Sequence, residues 1–275
     1  MKTAAPSSTT ADSSFLLTVA YDGTAYCGWQ TQPDAPTVQG AIEEKLQRLY
    51  KQPVAAAGCS RTDAGVHGLA QKVTVRPPAA PAVPVQNVRR FLNNALPPDI
   101  RVRDIALRPA DFHSRFDNIG KAYTYLLAPG GHCAPFINPY VWETARLDIE
   151  AMQAAAEQLL GTHDFTSFSA SSTSRPEEDC IRTLHRVRVF PLDGFLAISV
   201  LGNAFLYRMV RRIVGFLMEV GRGRHCADDV AGLIAARDRG VFQTAPPLGL
   251  FLHEVFFDEA EIEAFEVTKL PFLLK

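Results

Sequence analysis

The chain has 275 residues, 28 basic against 29 acidic side chains and 47% apolar residues. That length allows one large domain or two packed halves with ample chain to bury a core, and a charged fraction of 21% excludes a disordered, collagen-like or coiled-coil chain. No apolar run approaches the roughly 18 residues of a membrane span, and the five scattered cysteines (Cys27, Cys59, Cys133, Cys180, Cys226) contain no C-x-x-C pair, which speaks against zinc-ribbon and thioredoxin-type sites and for reduced thiols in a cytoplasmic protein.

Residues 1–14 carry one lysine and no apolar stretch, so they read as a mobile tail and not as a signal peptide. Phe15–Tyr21 is an apolar run ending in Asp22-Gly23, a strand entering a turn. Thr37 is placed to cap a helix on which Val38, Ile42, Leu46 and Leu49 recur at helical spacing. Val54–Ser60 and Gln71–Val75 are strand-like and flank the polar segment Arg61–His67. Pro84 opens a helix on Val88, Phe91, Leu92 and Ala95, stopped by Pro97-Pro98.

In the second half, Lys121–Leu127 alternates, with Tyr123, Tyr125 and Leu127 on one face of a strand. Asp148 caps a helix through Met152, Ala155, Ala156 and Leu159, with Gly161 as its C′ residue. Arg182–Phe190 and Phe195–Leu201 form two strands around Asp193-Gly194. Tyr207–Val220 is a strong helix ended by Gly221, and Leu248–Phe257 is the last strand. Strand-then-helix units with antiparallel hairpins, and no steady βαβ rhythm, give an α+β fold in two halves of similar content. The halves are assigned to 15–118 and 119–275.

Charge is unevenly distributed. Segments 61–125 and 181–224 carry net charges of +5 and +6, mostly from arginine, between segments of −1, −6 and −5. Arginine's planar fork suits phosphates and stacked bases. A solvated surface and a nucleic-acid track both fit this pattern.

Arg61-Thr62-Asp63-Ala64-Gly65-Val66-His67 is the segment with the most chemistry. Asp63 followed by Ala-Gly is first a turn former. Beside Arg61 it is also a carboxylate that an arginine would keep ionised, as a nucleophile must be. A single such aspartate disfavours glycosidase and aspartic-protease chemistry, which need two carboxylates. His67 has no second histidine at ligand spacing, so a hydrogen-bonding role suits it better than metal binding.

These residues resemble the tRNA pseudouridine synthase A family. Arg61–His67 with Gly58 is similar to its GRTDAGVHA motif, Tyr21-Asp22-Gly23 with Gly28-Trp29-Gln30 to its YDG…GWQ, and Thr37-Val38-Gln39 to its TVQ. Asp111–Phe116 (DFHSRF), Lys121–Tyr125, Gly161–Phe168, Met209–Gly215 and Ala245–Leu252 follow in the family's order. The resemblance runs from about Phe15 to Phe257. Two departures are Ser60, where the family more often has glycine, and Leu248, where a polar or acidic residue is frequent.

The resemblance implies the pseudouridine synthase fold: two similar α/β halves with mainly antiparallel mixed sheets, helices on one face and a basic cleft between the halves. It implies isomerisation of uridine to pseudouridine in the anticodon stem-loop of tRNA, at positions 38, 39 and 40, by a homodimer. Asp63 resembles the nucleophile, Arg211 the arginine that pairs with it, and Tyr123 the tyrosine that stacks on the target base. Arg61 is similar to the base-flipping arginine. The segment Phe112, His113, Ser114, Arg115 and Phe116 resembles one RNA contact, and the loop Ser172, Thr173, Ser174 and Arg175 occupies the place of another. The reaction is redox-neutral and adds no atoms, so no cofactor or metal is expected. The alternatives are an isomerase of the same fold acting on another RNA, a non-catalytic tRNA-binding protein, and an unrelated single-aspartate hydrolase.

Overall fold

The fold is described from a computed structural model over residues 13–170, 179–240 and 243–273. The chain divides into two compact units, Met1–Asn118 and Ile119–Lys275.

The first unit contains β1 (Ser13–Tyr21), α1 (Val38–Tyr50), β2 (Ala56–Gly58), β3 (His67–Val75), α2 (Val85–Ala95) and β4 (Ile100–Pro109). Its strands lie in the order β4–β1–β3–β2, all neighbours antiparallel. Thr37 caps α1 as its residue type requires, its side chain accepting from the Gly40 N–H. The period of two along β1 sends Phe15, Leu17, Val19 and Tyr21 into a core shared with Val38, Ile42 and Leu46 of α1 and Val88 and Leu92 of α2. β1 starts at Ser13, whose neighbour Ser14 donates to the Pro109 carbonyl at 2.8 Å, so pairing begins two residues before the expected strand. Bulges interrupt β1 against both neighbours, between Val19 and Tyr21 and between Thr18 and Val19.

The second unit contains β5 (Gly120–Pro129), β6 (Trp142–Thr144), α3 (Ile149–Gln158), β7 (Gly161–Asp164), β8 (Ile181–Leu192), β9 (Phe195–Gly202), α4 (Met209–Gly221), α5 (Asp229–Ala236), β10 (Leu250–Phe256) and α6 (Glu259–Ala264). Its strand order is β10–β5–β9–β8–β7, antiparallel throughout, with β6 added parallel to β5. α3 packs on β8 and α4. A Cβ on Gly221 would stand 2.7 Å from the Met152 sulfur, so glycine permits that α3–α4 approach.

The expected α+β class with antiparallel hairpins holds in both units. β3 begins at His67, four residues before the expected strand, and three helix ends also move. Gly161 is not the C′ residue of α3: the helix ends at Gln158 with Leu159 as its C-cap, and Gly161, at φ +98°, opens β7. α4 begins at Met209 because Arg208 adopts a left-handed φ of 58°. Gly221 is the last residue of α4, and the reversal falls on Gly223 at φ +73°.

Candidate active site

Asp63 lies in an irregular segment between β2 and β3. The Val66 N–H donates to the Asp63 carbonyl at 3.1 Å, closing a turn whose third residue, Gly65, has φ +77°. That geometry is a type II turn, which favours glycine there. Asp63 is half-buried and Arg61 exposed.

The turn is held by the stretch that follows β1. The Trp29 N–H donates to the Thr62 carbonyl at 3.1 Å, and the Gly65 N–H to the Tyr26 carbonyl at 3.3 Å. The Tyr21 and Thr62 hydroxyls meet at 2.8 Å in a buried contact. Tyr26 is itself tied down by a 2.7 Å bond to Asp99, and burial together with that carboxylate raises its phenol pKa. Two glycines allow backbone to meet backbone: a Cβ on Gly23 would stand 2.0 Å from the Val66 carbonyl oxygen, and one on Gly28 2.6 Å from that of Thr62. Trp29, 1% exposed, packs against Gly58, where a Cβ would fall 2.4 Å from the indole. The YDG and GWQ motifs thus form the cradle of the RTDAG turn. Residues 29–43 positions apart meet here, a proximity that sequence spacing does not reveal.

His67 is buried, and its Nδ1 accepts from the Gly23 N–H at 3.1 Å. This is a hydrogen-bonding role at the start of β3.

The segment Phe112–Phe116 is anchored from inside. Arg76, which no motif singles out, donates to the carbonyls of Ala110 and Phe112, both at 3.0 Å. Ser114 is fully buried, its hydroxyl donating to the Ala57 carbonyl at 3.2 Å and its N–H to Thr74 Oγ1 at 2.8 Å. It fastens the segment to β2 and β3. Phe116 is 73% exposed, with the Arg115 guanidinium 5.7 Å from its ring centroid and the His113 ring at 4.6 Å. Arg108 lies over the Phe112 ring.

In the second unit, Tyr123 and Tyr125 share one face of β5. Tyr123 is 8% exposed and meets Phe205 edge-on at 5.1 Å. Arg211, half-buried in the first turn of α4, donates through Nε to the Ala245 carbonyl at 2.7 Å, while the Ala245 N–H donates to the Arg211 carbonyl. The next residue, Pro246, accepts from the Tyr125 hydroxyl at 2.8 Å. Burial raises the Tyr125 phenol pKa far above its ordinary value, with the nearby Arg211 charge opposing. Gly215 lets α4 approach this segment, since a Cβ would stand 2.1 Å from the Gln243 carbonyl oxygen. Arg212 faces the other way: it is buried and donates to the carbonyls of Ser167 and Arg239. The two consecutive arginines of MVRR therefore differ in kind, one bound beside the β5 tyrosines and one stapling the interior.

Ser172, Thr173, Ser174 and Arg175 lie outside the described residues. Among the described residues no cluster of three His, Cys, Asp or Glu side chains could hold a metal ion, and no helix is long and apolar enough to cross a membrane.

Comparison with known proteins supplies a context for this geometry. A family model described as tRNA pseudouridine synthase matches residues 17–117 and 155–258. A protein of Lacticaseibacillus casei, strain BL23, named tRNA pseudouridine synthase A, is 38% identical over 248 residues, covering 88% of this chain and 99% of its own. One of the same name from Staphylococcus aureus, strain JH1, is 38% identical over 251 residues, covering 90% of this chain and 92% of its own.

Proposed function

The chain belongs to the tRNA pseudouridine synthase family, and on that premise we propose that it isomerises uridine to pseudouridine in the anticodon stem-loop of tRNA, at positions 38, 39 and 40. The observation that carries this reading is identity of 38% across nearly the full length of relatives named for the activity. Asp63 on its braced turn supplies the reacting carboxylate that the chemistry needs.

In this reaction the N1–C1′ bond breaks, the base turns, and C5 bonds to C1′. C5 loses its hydrogen and N1 gains one, so the atoms balance without a co-reactant. Asp63 is assigned as the nucleophile, on a segment with little freedom to move. A target uridine must first leave its stack, at a cost of a few kcal/mol. Tyr123 is assigned to stacking on the flipped base, an interaction worth about 1–3 kcal/mol. Arg211 is assigned as the active-site cation, and its bond to Ala245 fixes the plane of its guanidinium. Arg61, exposed beside Asp63, is assigned to base flipping. Phe112, His113, Arg115 and Phe116 are assigned to RNA contact: aromatic faces beside guanidinium groups suit nucleotides. Ser114 supports that segment from within, and Ser172–Arg175 are assigned to a further RNA contact. The active form is proposed as a cytoplasmic homodimer, a location that suits five free cysteines.

Tritium release tests the activity. Unmodified tRNA transcribed with uridine labelled at C5 loses label to water only where C5 forms the new bond. The wild-type protein is expected to release label in proportion to the uridines available in the anticodon arm. No release from any tRNA would overturn the proposal, and release from uridines elsewhere would overturn its assigned position.

A further inference from the structure

Asp63 is held by two kinds of contact. Its turn, the bond from the Gly65 N–H to Tyr26 and the bond from the Trp29 N–H to Thr62 all use backbone groups, which a change of the Thr62 side chain leaves in place. The contact between the Thr62 and Tyr21 hydroxyls, 2.8 Å long across 41 residues, is made by side chains. Thr62 is 7% exposed and Tyr21 5%.

Tyr21 is a fixed anchor. Its backbone pairs with Gly68 of β3 on one side and Ile100 of β4 on the other. Its ring lies over Gly68, where an added Cβ would stand 2.5 Å from the ring, and it tilts against Trp29 at 5.9 Å. Thr62, β-branched, has few rotamers open to it. Its carbonyl belongs to the peptide plane that leads into Asp63. With the carbonyl bound by Trp29 and the hydroxyl by Tyr21, both the tilt of that plane and the direction of the chain entering Asp63 are determined.

We infer that Thr62 is a positioning residue for the Asp63 carboxylate, acting through the Tyr21 hydroxyl. The inference rests on Asp63 being the reacting carboxylate, as proposed above. A reacting group must be held to within about half an ångström, and displacement by about 1 Å can cost on the order of 100-fold in rate. The contact includes none of the side chains assigned to RNA, so its loss affects turnover and leaves binding intact.

The test compares Thr62→Val, which keeps volume and branching but removes the hydroxyl, with Thr62→Ser, which keeps the hydroxyl. Tyr21→Phe and the Tyr21→Phe/Thr62→Val double variant complete a cycle. Tritium release gives kcat and KM, and filter binding gives the Kd for tRNA. Thr62→Val is expected to lower kcat by about 10–100-fold, with KM and Kd within threefold of wild type. Thr62→Ser recovers kcat to within threefold. Tyr21→Phe matches Thr62→Val, and the double variant is no slower than either alone.

Unchanged kcat in Thr62→Val, a loss confined to KM and Kd, or additive losses in the double variant would each overturn the inference. If Thr62→Val does not fold, Tyr21→Phe carries the same test with Thr62 intact. Asp63→Asn, assayed alongside, separates the two levels. Activity in Asp63→Asn refutes the role of Asp63 itself, whereas an inactive Asp63→Asn with a fully active Thr62→Val refutes only the positioning role.

Discussion

Replacing Gly28 with alanine probes the cradle where it touches the turn that carries Asp63. Gly28 has φ +94°, and an added Cβ would lie 2.6 Å from the Thr62 carbonyl oxygen, 3.1 Å from the Asp63 carbonyl carbon and 3.2 Å from the Ala64 nitrogen. Ordinary contact begins near 3.4 Å, so the turn must retreat by about 0.8 Å or the 28–29 peptide must rotate away. Either movement weakens the 3.1 Å bond from the Trp29 N–H to Thr62. The backbone strain costs about 1–2 kcal/mol and the overpacking about 1–3 kcal/mol. Thermal unfolding should therefore fall by roughly 5–15 °C. The same 0.8 Å displacement lowers kcat by roughly 100-fold in a tritium-release assay run well below the transition, with tRNA affinity little changed. Gly28→Ala with wild-type kcat and melting temperature would refute the claim that this glycine holds the turn in register.

Arg212→Ala removes the donors to Ser167 and Arg239 and is expected to cost about 3 kcal/mol or more of stability, while Arg211→Ala costs less stability and abolishes most turnover; thermal unfolding and tritium release on both variants check the contrast. The Tyr50 hydroxyl is buried with no hydrogen-bond partner among the described residues, and burial pushes its pKa up to about 12. Tyr50→Phe should therefore be neutral or stabilise by up to ~1 kcal/mol, measured by urea unfolding, and a loss of 2 kcal/mol would show a missing partner. The bond from the Thr166 hydroxyl holds the Asp164 carboxyl below its ordinary pKa. A depressed folded value means that Asp164 contributes its stability above the unfolded aspartate pKa, near 3.9, and loses it as pH falls through the lower folded value. Asp164→Asn should flatten that part of the acid limb, and an unchanged slope below pH 4 would contradict the assignment.

Much of the local structure was legible because local chemistry decides it. Thr37 at the head of a helical stripe, and Asp193-Gly194 between two alternating runs, are such cases. Both turn residues take positive φ, 47° and 85°, as a tight hairpin requires. β4 was not legible. Its alternation, Ile100 and Val102 inward with Arg101 and Arg103 outward, breaks where the bulge against Thr18 and Val19 shifts the register. The start of α4 was missed because the left-handed conformation of Arg208, a residue that rarely adopts it, leaves no mark on the apolar stripe. In the site, the turn at Asp63 was readable from Ala64-Gly65. The grip of Gly23, Gly28 and Trp29 on that turn, and that of Arg76 on the 110–112 carbonyls, depend on contacts between distant residues. Helical spacing alone does not separate Arg211, named by the family resemblance, from Arg212, since the packing of α4 decides which of two neighbours faces inward.

The most direct test of the central claim uses unmodified tRNA with uridine at positions 38, 39 and 40, incubated with the wild-type protein or with Asp63→Ala. Pseudouridines are mapped as carbodiimide-adduct stops in primer extension. The account predicts stops at those positions with wild type and none with Asp63→Ala, although both proteins bind the tRNA with similar affinity. Stops with both proteins would contradict the role of Asp63, and equal binding with no stops from either would contradict the isomerase itself.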